Sequence, residues 1–398
     1  MRDVWADLYR QLALDYCVSF EEASDRKNHF STFTPLPGRR RFRSSDDCAL
    51  KVVAVNGKLL FTGKEEIVAS CREKYAETTG DWFMDIRFFR QLDELVKPYG
   101  YRMISAHPFY LPGNDAGTKA LIEAEDAAVA DHDYETVIYD EKEIEQFRGD
   151  DRFQEAYSFE AYAPDMIGVG ALRDGEIIGM AGASADSDLL WQIGIDVAPE
   201  ARGKHLGAHL VRILKEEILK SGHTPFYGTS MSNIGSQRVA HHAGFVAAWA
   251  ELSSIRAFDF YGWETAVARA VTKEYPFITT PRDLYEALTK VWCRETCAPR
   301  MRQDWSMENQ TLGQCSVTAF LAQDIFGGKV YGVPLEDGGV HCYNVVGDCV
   351  FDLTSAQFGE RKLNYENNLE QKREEHFEKA EKKERYEMLK AALKKLEP

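Results

Sequence analysis

Between Trp191 and Ile218 the chain sets a strand, a glycine-containing turn and a helix in immediate succession, which restricts the fold more than any other stretch. Trp191-Gln192-Ile193-Gly194-Ile195-Asp196-Val197 is apolar at alternate positions near its end, the period of a strand with one buried face. It stops at Ala198-Pro199. Beyond Arg202-Gly203-Lys204, Leu206, Leu210, Leu214 and Ile218 recur at helical spacing until Ser221-Gly222 breaks the pattern. A strand, a tight turn and a helix start make an anion site. The first helical N–H groups have no partner inside the helix, and the macrodipole adds about half a positive charge there. Gly203 and Gly207 let backbone amides approach an anion with no Cβ in the way. Arg202 and Lys204 add charge-assisted contacts. A nucleotide-binding or purely structural turn is the competing reading of the turn taken alone.

A chain of 398 residues is long for one core and implies two or three domains. Its 44% hydrophobic and 28% charged residues belong to a globular protein, not a disordered one. A net charge of −16 argues against a general nucleic-acid binder, tolerates a cationic amine substrate and also serves solubility. The acidic start around Asp3 and Asp7 lacks the pattern of a secretory signal, and no apolar run reaches the roughly 18–20 residues of a membrane span. Eight scattered cysteines then imply free thiols in a reducing cytoplasm. Cys293, Cys297, Cys342 and Cys349 lack the C-x-x-C spacing of a zinc knuckle, so no metal is expected.

Three regions and a tail follow from the pattern. In residues 1–117, an amphipathic helix around Trp5, Leu8, Leu12 and Leu14 leads into a linker, Thr32–Arg43. Leu50–Val55 and Lys58–Phe61 flank Asn56-Gly57, a hairpin signal because that pair accepts the positive φ of a type I′ turn. Helices are expected at Glu65–Lys74 and Ile86–Lys97, a strand at Tyr101–Ser105 and a loop at His107–Gly117. In residues 118–262, Met166–Leu172 and Glu176–Ala183 form a hairpin around Asp174-Gly175. After the strand–turn–helix come a strand, Thr224–Met231, a helix, Asn233–His242, closed by Gly244, and one or two strands over Phe245–Phe258. The third region, 275–398, ends in a Lys/Glu-rich helix whose Tyr386, Leu389, Leu393 and Leu396 form an apolar stripe suited to docking on its own domain.

Taken together, Arg202–Ala208 and the downstream Asn233-Ile234-Gly235-Ser236-Gln237-Arg238 through Ala243-Gly244-Phe245 resemble the GNAT superfamily of N-acetyltransferases. Arg202 and Gly207 match that family's pyrophosphate loop, whereas His205 stands where the family usually has its first glycine. The resemblance covers roughly residues 131–261. It implies acetyl-CoA as co-substrate, held by Arg202, Gly203, Lys204, His205, Leu206, Gly207, Ala208 and Asn233, with pantetheine on the strand edge Ile195, Asp196 and Val197. It also implies direct attack of an amine on the thioester, with a backbone N–H facing the developing oxyanion. Many relatives protonate the leaving thiolate with a Tyr in the helix after the Asn; here that position is Ala240. His241, Tyr227 and Asp196 are the candidate replacements.

A second constellation lies in the third region. Gly313-Gln314-Cys315-Ser316-Val317-Thr318-Ala319 puts Cys315 at a helix start, where the dipole favours thiolate. His341 and Asp352 follow on strand-like stretches. Cys, His and Asp in that order resemble papain-like and transglutaminase-like triads, in which His takes the thiol proton and the carboxylate orients the imidazole. Gln310 or Gln314 is a candidate oxyanion donor. Gly-Gln-Cys, His-Cys-Tyr-Asn and Asp-Leu-Thr followed by Gln357-Phe358 resemble the YunG-like bacterial proteins over roughly residues 291–393. The competing reading is a buried small hydrophobe beside a structural His–Asp pair.

The expected architecture is a mixed α/β (α+β) multidomain chain. An N-terminal α/β lobe, itself a candidate degenerate GNAT lobe, precedes a GNAT fold with a mostly antiparallel mixed sheet and helices on both faces. A cysteine-protease-like α+β domain follows. The expected function is acetyl transfer from acetyl-CoA to a primary amine of a small molecule, in the cytoplasm, with a homodimer possible and no nucleic-acid or membrane partner. A bifunctional enzyme and a non-catalytic acyl-CoA sensor are the alternatives.

Overall fold

The computed structural model describes residues 3–41, 48–104, 106–129, 133–257, 260–262, 267–336, 338–359 and 361–396. Arg43, Ser105 and Phe258, the expected ends of three segments, lie outside them. The chain forms two compact units, residues 1–257 and 258–398. No helix among the described residues is long and apolar enough to cross a membrane.

The first unit is built on an eleven-stranded sheet. Its strands are β1 (His29–Thr32), β2 (Leu50–Val55), β3 (Lys58–Gly63), β4 (Tyr101–Met103), β5 (His107–Pro112), β6 (Glu135–Asp140), β7 (Asp165–Arg173), β8 (Glu176–Ser184), β9 (Leu190–Val197), β10 (Thr224–Gly228) and β11 (Phe245–Arg256). They run in the order β1-β3-β2-β11-β5-β10-β9-β8-β7-β6, with β4 also on β11. Only the β1–β3 and β9–β10 pairs are parallel among these. The helices are α1 (Val4–Asp15), α2 (Phe20–Ser24), α3 (Glu65–Tyr75), α4 (Ile86–Val96), α5 (Ala116–Ala128), α6 (Glu141–Ile144), α7 (Leu206–Lys220) and α8 (Ile234–His242).

Strand period two explains why helices cover both faces. Val52 and Phe61 pack with Ile67 and Cys71 of α3 and Leu92 of α4, while the neighbouring Val53 and Leu60 pack with Leu8 and Leu12 of α1. The alternation recurs in β9, where Leu190 joins the α1 cluster and Trp191 and Ile193 join Leu206, Leu210, Leu214 and Ile218 of α7. Both expected hairpins form, with positive φ at Asn56 and Gly57 (49° and 77°) and at Asp174 and Gly175 (53° and 82°).

Two expectations change. Residues 1–117 are not a separate lobe, because β2 pairs with β11 and β5 lies between β10 and β11 in one continuous sheet. Residues 107–112, expected as loop, are β5 itself. Pro108 and Pro112 suggest loop, but β10 pairs only with Phe109 and Tyr110, so neither proline interrupts that ladder. Burial decides the strand: Leu111 is inaccessible and Phe109 stacks on Trp249 at 5.0 Å.

The second unit holds α9 (Pro281–Leu288), α10 (Cys315–Phe326), α11 (Arg373–Phe377) and α12 (Ala380–Lys394). Its antiparallel sheet consists of β12 (Lys329–Pro334), β13 (Val340–Val346), β14 (Cys349–Phe351) and β15 (Leu369–Glu370), in the order β14-β13-β12-β15. Helix α10 buries Val317, Phe320, Leu321, Ile325 and Phe326, and the Asn344 amide of β13 donates to the Ala319 carbonyl at 2.8 Å. The tail docks on its own unit through buried Tyr386, Leu389 and Leu393. Arg385 pairs with Glu381 at 2.9 Å and donates to the Thr296 and Gly313 carbonyls.

Candidate functional site

In the first unit, β9 and β10 run side by side only from Leu190/Thr224 to Ile193/Tyr227. Beyond Ile193, Gly194–Val197 keep β8 on one side, and no strand among the described residues pairs with their other edge. Meanwhile Tyr227 and Gly228 stay paired with β5. The two strands therefore part, and a cavity of about 970 Å³ opens at the fork. Its rim is the turn after β9. Arg202 donates from Nε to the Val197 carbonyl at 3.0 Å, Gly203 takes φ 74°, and His205 takes the left-handed φ 61°, ψ 0° as the N-cap of α7. No side chain caps α7, so the N–H groups of Leu206, Gly207 and Ala208 begin the helix beside the cavity that those residues line. The α8 start, with Asn233, Gly235 and Ser236, lines it too.

The opposite wall depends on three glycines. Gly168, Gly182 and Gly194 are aligned across β7, β8 and β9. A Cβ on Gly194 would lie 1.8 Å from the Glu155 carbonyl oxygen, one on Gly182 2.1 Å from that of Ala156, and one on Gly168 1.8 Å from the Tyr157 hydroxyl. Residues 155–157 thus lie directly on the sheet. Asp196 holds them there, its Oδ2 accepting from the Glu155 and Ala156 N–H groups at 2.9 Å each. Burial raises the Asp196 pKa above the usual carboxylate value, while those two hydrogen bonds pull the other way. The arrangement brings Glu155 to the cavity wall together with Tyr227. Burial pushes the Tyr227 phenol up to about 12, and its hydroxyl hydrogen-bonds Ser236 Oγ at 2.8 Å. Asn233 Oδ1 in turn accepts from the Ser236 N–H at 3.1 Å, so the helix cap also places the tyrosine's partner.

In the second unit, Cys315 is the first residue of α10, again with no side-chain cap. His341 Nε2 meets Asp352 Oδ2 at 2.6 Å, with both side chains 1% exposed. The other Asp352 oxygen accepts from the Thr354 N–H and hydroxyl, and the Tyr365 hydroxyl donates to Oδ2 at 2.9 Å. The Cys315 pKa falls well below the usual thiol value. The Cys342 thiol donates to its sulfur, which outweighs the opposing effect of burial, and His341 stabilises the thiolate further. Burial opposes charge on His341, yet the Asp352 carboxylate and the Cys315 sulfur raise its pKa to about 10. Between those two limits the stable arrangement is thiolate beside imidazolium.

The YunG protein family profile matches residues 280–397. The Bacillus subtilis protein YunG, described as uncharacterized, is 33% identical over 90 residues, which cover 23% of this chain and 71% of that protein. The chain belongs to the YunG family. Residues 132–245 match the acetyltransferase (GNAT) family, so the first unit carries a GNAT acetyltransferase domain, and the chemistry of that family is acyl transfer. Solved structures similar to the chain include a GCN5-related N-acetyltransferase-like protein from Streptococcus suis, at 14% identity and TM-score 0.32 over 55% of this chain and 88% of that one. A GNAT-family acetyltransferase from Colwellia psychrerythraea is similar at 15% identity and TM-score 0.26, over 54% of this chain and 83% of that one.

Of the residues singled out for the GNAT domain, Ile195, Asp196, Val197, Arg202, Gly203, His205, Leu206, Gly207, Ala208, Asn233 and Tyr227 line one cavity. Lys204 is exposed and not among the lining residues. His241 is exposed and lines a neighbouring depression with Tyr110, Ile234 and Phe245, not the cavity itself. Glu155 and Ser236 were missed. The row of glycines was the available signal for Glu155, but alignment across strands becomes visible only once the register is known. In the YunG-family unit, Cys315, His341 and Asp352 come together. Neither proposed glutamine points to the sulfur, since Gln314 donates to the Cys293 carbonyl at 3.0 Å and Gln310 lies against Met307 Sδ at 3.6 Å. The glutamine beside the triad is Gln357, whose Nε2 is 3.5 Å from His341 Nδ1.

Proposed function

We propose that the GNAT domain transfers acetyl from acetyl-CoA to a primary amine of a small molecule. The observation that carries this reading is the parting of β9 and β10 directly beside the uncapped α7 N-terminus. The fork offers a free strand edge to pantetheine, and the helix start with Arg202 offers backbone and guanidinium donors to a diphosphate. The amine enters along the wall that Glu155 forms. Its nitrogen gives a proton to Glu155 and attacks the thioester carbonyl carbon. The C–S bond breaks, the departing sulfur takes a proton from the Tyr227 hydroxyl, which is protonated at neutral pH, and the resulting phenolate takes the second proton from the new amide nitrogen. Asp196 acts by position, because it fixes the backbone that carries Glu155.

Thiol release from acetyl-CoA with a panel of amines tests the proposal. Turnover with at least one amine is expected, with Tyr227→Phe lowering kcat by roughly 10²-fold at an unchanged acetyl-CoA KM. Arg202→Ala should instead raise the acetyl-CoA KM. Acetyl-CoA binding without release for any amine would support the sensor reading. A second reading, a bifunctional enzyme, is favoured by the thiolate–imidazolium pair of Cys315 and His341, which suits nucleophilic attack on an amide or thioester.

A further inference from the structure

Beside the cavity rim, three side chains from three elements converge on one point. Glu125 of α5 is 9% exposed, and its two oxygens face two imidazoles. Oε2 lies 2.7 Å from His205 Nδ1 and Oε1 lies 2.5 Å from His242 Nδ1, and the three donor atoms all fall within 4.8 Å of one another. We propose that Glu125, His205 and His242 form a binding site for a single zinc ion.

Two imidazole nitrogens and one carboxylate oxygen are a ligand set for zinc, whereas magnesium and calcium require mostly oxygen donors. Donor atoms on a tetrahedral zinc ion with bonds of about 2.0–2.1 Å stand roughly 3.3 Å apart, so whichever carboxylate oxygen binds the ion, its short contact to a histidine needs to open by roughly 0.6–0.8 Å. His205 is also a residue whose Cβ disfavours the backbone it occupies: its φ of 61° suits glycine, and what glycine lacks is the imidazole. His205 and His242 line the cavity while Glu125 does not, so the ion's remaining coordination position faces the cavity. There the ion pins the turn, α5 and α8 to one another and adds positive charge at the anion site.

The test is isothermal titration of the full, metal-stripped chain with zinc chloride, followed by cobalt(II) absorption. About one ion per chain is expected, with a cobalt spectrum lacking thiolate charge-transfer bands. Glu125→Gln and His205→Gly, the latter relieving backbone strain and therefore safe for folding, should each weaken binding by at least the roughly 10–100-fold that loss of an outer-shell partner costs. Cys315→Ser should leave it unchanged. No heat with zinc, or binding that survives both substitutions, overturns the site. Loss of binding in Cys315→Ser with cobalt–thiolate bands overturns it too, by locating the ion in the YunG-family unit.

Discussion

At the scale of single residues, the charge state of Cys315 makes the sharpest demand. Three influences favour its thiolate: the Cys342 thiol donating to it, the His341 imidazolium, and the uncapped start of α10. Burial opposes them and loses. An ordinary thiol near 8.5 loses about tenfold in alkylation rate for each pH unit below that value. Cys315, with its pKa lowered, loses less of its rate than the other cysteines as pH falls. Iodoacetamide labelling read by mass spectrometry should therefore find Cys315 labelled ahead of the other cysteines at pH 6, with His341→Ala reducing the advantage. At the alkaline end the sign reverses for the partner: His341, raised to about 10, stays protonated up to that pH. Any activity needing imidazolium as acid should fall only above it. Uniform slow labelling of all cysteines at pH 6 would favour a structural His–Asp pair. The order Cys315, His341, Asp352 was legible because Cys315 and His341 stand at recognisable element starts and Asp352 follows on the next strand-like stretch. Cys342 and Gln357 were not, since their roles come from the fold bringing β13 and the segment after β14 up to α10.

At the scale of elements, the strand–turn–helix from Trp191 to Ile218 was readable for a physical reason: two periods, 2.0 and 3.6, meet at a glycine turn. β5 was not readable, because its pairing partners β10 and β11 lie more than a hundred residues downstream and its two prolines mimic a loop. The glycine row shows the same limit from the other side. Gly168, Gly182 and Gly194 are unremarkable along the chain, yet across the sheet they make the trench that holds residues 155–157. Gly194→Ala puts a methyl where the Glu155 carbonyl oxygen sits, and that carbonyl is backbone fixed by Asp196. The segment must lift. We expect a stability loss of about 1–3 kcal/mol in thermal or denaturant unfolding, as for other overpacked sites. The acceptor KM should rise while acetyl-CoA affinity holds, because the turn at residues 202–208 is untouched. Equal weakening of both substrates would show that the trench supports the whole cavity and not the acceptor side.

At the scale of the molecule, each unit carries a sheet and apolar core of its own. The larger one buries Leu206, Leu210, Leu214 and Ile218 against β7–β9 and further clusters around α1, α3 and α4. In the smaller, Leu284, Leu288, Phe320, Phe326, Phe351, Leu389 and Leu393 are all at most 1% exposed. Chains of such lengths bury enough surface to fold independently. The tail belongs to this argument, because α12 closes the small core and Arg385 holds the Gly313 carbonyl just before Cys315. Residues 258–398 expressed alone should then unfold in one cooperative transition and keep the acid-tolerant labelling of Cys315. Removing α12 from that piece should cost both properties, since it exposes Leu389 and Leu393 and frees the turn that starts α10. Residues 1–257 alone should keep thiol release from acetyl-CoA at the rate of the full chain. If instead the separated pieces lose these activities while remaining folded by circular dichroism, the two chemistries share a requirement that neither unit meets by itself, and a coupled two-site enzyme becomes the better description.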